Sequence, residues 1–192
     1  MTRLKKYLFF SQASLLVCLL ICSAIVPSVV VSEGGVSNFG DHISTVGIYT
    51  LGFILNITFI YLAAELLIKQ SHKLLRIARA LMLLCCLTFL VFLSTFPRHY
   101  SFTFSYIHDY LGIVLFAYEF LISIYLVKKQ RTYRAFSWIT IQAVGSIVGL
   151  LSIIKVIHWL YVGQSIGCLG FGLVLVLLLP EVIKKQSSCR QL

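Results

Sequence analysis

The chain has 192 residues, 59% hydrophobic and 11% charged, with a mean hydropathy of +0.97 and a formal net charge of +10. A soluble domain of this size leaves too much surface exposed to hide that much apolar material, so the water-soluble classes are excluded. The positive charge does not point to nucleic acid either. The bases adjoin hydrophobic runs, where they set orientation and meet anionic headgroups, and no nucleic-acid recognition module is visible.

In hydrocarbon each backbone polar group needs a partner within its own segment, so apolar runs of about 20 residues are expected to be helices. Six such runs predict an all-α fold, a single six-helix polytopic membrane domain over 1–192. The first span, 7–31, follows Arg3, Lys5 and Lys6 and begins like a signal peptide. It is longer than a signal core of roughly 7–15 residues, and no small-x-small cleavage site stands out. Ile21 before Cys22 also spoils a lipoprotein signal, so the segment is read as a retained transmembrane helix.

The second span, 45–68, carries Glu65 four residues before Lys69, the spacing of an interfacial ion pair. Asn56-Ile57-Thr58 fits the glycosylation pattern but lies inside this span, out of reach of that machinery. The third span, 80–96, is expected to end at Pro97, and the fourth runs over 106–127. The fifth, 135–154, and the sixth, 159–179 with Pro180 as its stop, each carry a G-x-x-x-G pair. Gly145 and Gly149 in one, and Gly163 and Gly167 in the other, predict close approach of these two helices. The same four glycines are the expected surface for a homo-oligomer or a partner membrane protein.

Fourteen of the sixteen Lys and Arg residues fall in the N-terminus, the second and fourth gaps, and the tail. The other gaps hold only Arg98 and Lys155. The positive-inside rule then places both termini in the cytosol, N-in and C-in, in a chain expected in the plasma membrane. Five of the six cysteines lie within spans, with no C-x-x-C pair, and read as packing residues. Cys189 sits in the basic tail, where a free thiol or S-acylation are the two readings.

The base-poor side collects most of the unusual residues. The first outer loop holds Glu33, Asp41 and His42, and the second holds Arg98 and His99 and leads to His108 and Asp109. His158 lies in the third. His108, Gly112, Leu115 and Glu119 fall on one face of the fourth span, which predicts that this face turns into the bundle. Glu119 lies more than two turns from either end, so it is expected to be protonated, paired or water-facing, with Asn56 and Gln142 as the expected partners.

Three chemistries compete with a purely structural role as caps and turn residues. In the first, His108 acts as base with Asp109 or Asp41 as orienter, and Ser32 or Ser37 completes a Ser-His-Asp set. In the second, the residues bind a headgroup without turnover, with Arg98 on phosphate and Glu33, Asp41, His42, His99 and Glu119 contributing. The third is a metal site among the histidines, for which no H-x-x-x-H or H-E-x-x-H spacing is present, so no metal and no cofactor are expected.

The motifs carry a resemblance. Val31-Ser32-Glu33-Gly34-Gly35, then Phe39-Gly40, then Phe96-Pro97, and His108 followed by Gly112 and Phe116, resemble the domain of unknown function 998 family of six-helix membrane proteins. More loosely, the chain is similar to the Frag/DRAM/Sfk group. The resemblance spans nearly the whole chain in layout, implies a six-helix fold and inclines function toward membrane lipids. The expected function is an outer-leaflet polar pocket that binds or acts on lipid headgroups. The alternatives are a small proton-coupled carrier using Glu119, and a structural or regulatory subunit packing through spans five and six.

Overall fold

The fold is given by a computed structural model that describes residues 2–31, 35–70 and 74–188, with the side chains of His99 and 186–188 excepted. Glu33, Lys73 and the tail from Cys189 onward lie outside the described residues. The chain is all-α. Among the described residues six helices are long and apolar enough to cross a membrane: Thr2–Ile25, Val46–Gln70, Leu75–Arg98, Phe102–Gln130, Tyr133–Ile153 and Leu160–Lys185.

In chain order the helices are α1 (Thr2–Ile25), α2 (Ser28–Val31), α3 (Val46–Gln70), α4 (Leu75–Thr95), α5 (Phe102–Gln130), α6 (Tyr133–Ile153), α7 (Leu160–Leu173) and α8 (Leu179–Ser188). Short 3-10 turns cover Val36–Gly40 and Phe96–His99. The first expected span, 7–31, is broken near its end. Pro27 has no N–H to continue the ladder, so α1 stops at Ile25 and a single turn, α2, resumes beyond it. The expected stop at Pro180 is absent. A five-residue π turn, Val174–Leu178, stands directly before that proline. The widened turn relieves the clash between the ring and the carbonyl four residues back, and the helix runs on as α8.

Local chemistry makes the connections tight. Ser101 caps α5 by accepting from Phe104 N at 3.3 Å, and Thr132 caps α6 by accepting from Ala135 N at 3.3 Å. Arg131, at φ 52°, closes α5 in the left-handed region, with its N–H on Val127 O at 2.8 Å. Lys155, at φ 60°, ends α6 in a Schellman turn. Val156 N bonds Leu151 O at 2.9 Å, and Lys155 N bonds Ser152 O at 3.0 Å.

Neighbouring helices pack as α1 on α3, α3 on α4, α4 on α5, α5 on α6 and α6 on α7, and α7 meets α1 to close the ring. The buried apolar residues divide into two cores. One joins Leu4, Leu8, Ala63, Leu67, Ala78, Leu126, Ala135 and Ile183, so both ends of the chain meet at one end of the bundle, here the basic end. The other joins Leu19, Cys22, Phe39, Tyr49, Phe92 and Tyr161 at the opposite, loop end.

Glycine sets the α6–α7 contact. A Cβ on Gly145 would lie 2.2 Å from Gly167 N, and one on Gly163 would lie 2.4 Å from Gly149 N. Gly170 extends the seam, its Cβ position 2.4 Å from Gln142 N. The two backbones touch because neither helix carries side-chain bulk between them.

Candidate functional site

Between α1, α3, α4, α5 and α7 lies a cavity with about 90 Å³ of space for water-sized molecules. Its loop end is lined by Val36 and Ser37 of the first loop, and its inner end by Ile60, Leu84, Glu119 and Phe171. One stripe of α5 supplies its spine: His108, Gly112, Leu115, Phe116 and Glu119. That spacing repeats every three to four residues and keeps one helical face inward. At Gly112 the cavity comes up to the helix backbone, and a Cβ there meets nothing within 4 Å.

His108 is 7% exposed, and its Nδ1 lies 2.9 Å from Ser94 Oγ. Ser94 gives its hydroxyl proton to Val91 O at 2.8 Å. The Val91 backbone also hydrogen-bonds the ring, so α4 engages His108 through both Ser94 and Val91. The ring is therefore oriented by a serine on α4, not by a carboxylate. Asp109, one residue on and about 100° around the helix, lies exposed outside the cavity.

Glu119 lies eleven residues beyond His108, about 16 Å farther along the helix. It is 9% exposed and lines the cavity. Among the described residues its carboxyl makes no hydrogen bond or ion pair; only its backbone carbonyl does, accepting from Ser123 Oγ. The two expected partners are otherwise placed. Asn56 gives its amide N–H2 to Ser11, at 3.0 Å to the carbonyl and 3.2 Å to Oγ. Gln142 is fully buried with neither amide atom bonded, and it does not line the cavity.

The first loop is folded over the cavity. Val36 N donates to Gln164 Oε1 at 2.7 Å, which ties the loop to α7. Phe39 is fully buried, edge-on to Tyr161 with ring centroids 5.5 Å apart. Gly40 sits where a Cβ would lie 2.8 Å from Thr95 Cγ2, so only glycine lets the loop settle against α4. Arg98 completes the attachment: its guanidinium donates to Ser37 Oγ at 2.6 Å, to Asn38 Oδ1 and to the Asp41 carboxylate.

Of the residues singled out in the sequence, His108 and Glu119 share the cavity, and Arg98 and Asp41 meet as a latch beside it. The guanidinium expected on phosphate is engaged by the first loop. His42 and His158 are exposed. Glu33 and the His99 side chain lie outside what is described. Ser37 bonds Arg98 and His108 bonds Ser94, so this pair is not joined into a Ser-His-Asp set. Among the described residues no three His, Cys, Asp or Glu side chains come together as metal ligands would. Glu65 and Lys69 pair at 2.5 Å on the surface, and Cys18, Cys22, Cys85, Cys86 and Cys168 are free thiols.

Sequence reasoning missed Gln12, Thr88, Ser94 and Gln164. The signal was available for three of them: Gln12, Thr88 and Gln164 are polar residues inside apolar spans, which are costly unless they face a partner or a cavity. Compared with known proteins, the chain matches no protein-family model, no curated protein and no solved structure.

Proposed function

We propose that this protein binds lipid headgroups in the polar cavity of its loop end. In this reading the basic end and both termini face the cytosol, the loop end faces the outer leaflet, and the protein resides in the plasma membrane. The observation that carries it is the one-sidedness of the bundle. Polar side chains from five helices line a cavity that begins under the first loop and reaches Glu119, where the apolar core of the basic end closes it. The first loop stands across the direct route from water, which favours a ligand that arrives through the bilayer. Turnover of a bound headgroup would use His108 as base.

A proton-coupled carrier using Glu119 is the second reading, favoured by that carboxyl's unpartnered burial. The apolar core on its far side argues for binding, since a carrier needs polar groups or water on both sides of its central site. A regulatory subunit packing through α6 and α7 is the third, though the glycines of those helices already face each other within the chain.

The test uses Gly112→Val, which puts a branched side chain into space that is open in the cavity while improving the helix. Protein purified in mild detergent is extracted and its lipids identified by mass spectrometry. Wild type is expected to retain one headgroup class near stoichiometrically, and the variant to lose it at unchanged thermal stability. Equal retention by both would discard the cavity as the binding site.

A further inference from the structure

We infer that the inner end of the cavity seats an ammonium group, with the Glu119 carboxylate as its counter-ion; this rests on the cavity being the headgroup site. Among the described residues the lining includes one carboxylate and no Lys or Arg. Arg98, at the loop end, is taken by Asp41, Asn38 and Ser37, and does not line the cavity. A phosphate pushed to the inner end would meet Glu119 in a medium that screens repulsion poorly and would find no base.

The hydrogen-bonding inventory has the same sense. Asn56 spends its N–H2 on Ser11, and Gln12 spends one N–H on Ser11 Oγ at 3.0 Å. Their carbonyl oxygens remain as acceptors in the same cavity lining as a carboxylate that has no hydrogen-bond or ion-pair partner among the described residues. A lining in which the Asn56 N–H2 is spent while two amide oxygens and a carboxylate remain as acceptors suits a ligand rich in N–H, and an ammonium supplies three. Tyr49, Phe53, Phe116 and Phe171 line the same space, and aromatic faces attract cations.

The outer end has the opposite polarity. Gln164 commits Oε1 to Val36 and keeps its N–H2 as a donor. A ligand with an ammonium at one end and an oxygen acceptor behind it fits this gradient with the ammonium inward. An amino-alcohol lipid headgroup has that form, as does a small soluble amine.

The experiment reconstitutes the protein in nanodiscs of mixed phosphatidylethanolamine and phosphatidylglycerol and reads retained lipid by native mass spectrometry. Wild type is expected to prefer the ethanolamine lipid by about tenfold, and Glu119→Gln to lose that preference. Free ethanolamine is then titrated into phosphatidylglycerol nanodiscs, with thermal stability as the readout. Stabilisation there identifies a soluble amine as the source, and its absence alongside lipid preference identifies the lipid. Retention of phosphatidylglycerol as strongly as phosphatidylethanolamine, or a preference that survives in Glu119→Gln, overturns the ammonium assignment and leaves headgroup binding standing. No retained lipid and no ethanolamine effect overturns both. If Glu119→Gln fails to fold, the wild-type preference between the two headgroups decides.

Discussion

Arg98 shows how a single side chain can read one way in sequence and act another way in the fold. A lone arginine on the base-poor side invites a phosphate ligand. In the structure its side chain is 12% exposed and holds the first loop, with the Asp41 side chain at 19%. A pair this far from water is costly to break from one side, because the remaining charge keeps its burial and loses its partner. Arg98→Met is expected to cost about 1–3 kcal/mol, discounted for residual exposure. Adding Asp41→Asn should recover part of that loss, as a double-mutant cycle by thermal or denaturant unfolding in detergent would show. Full additivity of the two changes would mean that the latch carries no coupling. Glu119 was legible at this scale because depth in an apolar span marks a carboxyl as unusual whatever surrounds it. Its neighbours were not, since Asn56 and Gln142 share no sequence relation with it and their side-chain directions depend on how three helices rotate against each other.

Helices are governed by spacing, and here the sequence was informative. The G-x-x-x-G pairs announced an α6–α7 contact, and the structure adds an asymmetry that the motif does not contain. The Cβ directions of Gly145, Gly163 and Gly170 run into facing backbone, whereas that of Gly149 finds nothing within 4 Å. Gly145→Ala, Gly163→Ala and Gly170→Ala should each destabilise by about 1–3 kcal/mol, since the methyl group has no flexible neighbour to displace. Gly149→Ala should be neutral or stabilising by up to about 1 kcal/mol from helix propensity alone. Thermal unfolding of the four variants in detergent tests the ranking, and a large loss for Gly149→Ala would contradict the packing. The prolines behaved less predictably than the glycines. Pro27 interrupts its span and Pro180 does not, because the outcome depends on whether the preceding turn can widen, and residue identity carries no record of that.

Across the whole molecule the two ends differ in kind. The basic end is a packed apolar core with Lys and Arg beyond it, and the loop end holds a cavity with polar groups from five helices under a fitted loop. If the bases face the cytosol, Ile43→Cys, at a position 96% exposed, and Gln130→Cys should label from opposite sides of an intact membrane with an impermeant maleimide. Labelling of both from one side would refute the six-span arrangement. The class of protein, the number of spans and the alternation of charge followed from composition and hydropathy, because lipid as a solvent demands long apolar helices and leaves their connectors to carry the charge. The inward face of α5 followed from helical periodicity in the same way. The cavity, the loop seated over it and the split between Arg98 as latch and Glu119 as unpartnered carboxyl came from the tertiary structure. Those features depend on which helix faces meet and on which donors are already spent, and both are set by packing between segments far apart in the chain, as the bond from Val36 to Gln164, 128 residues on, illustrates.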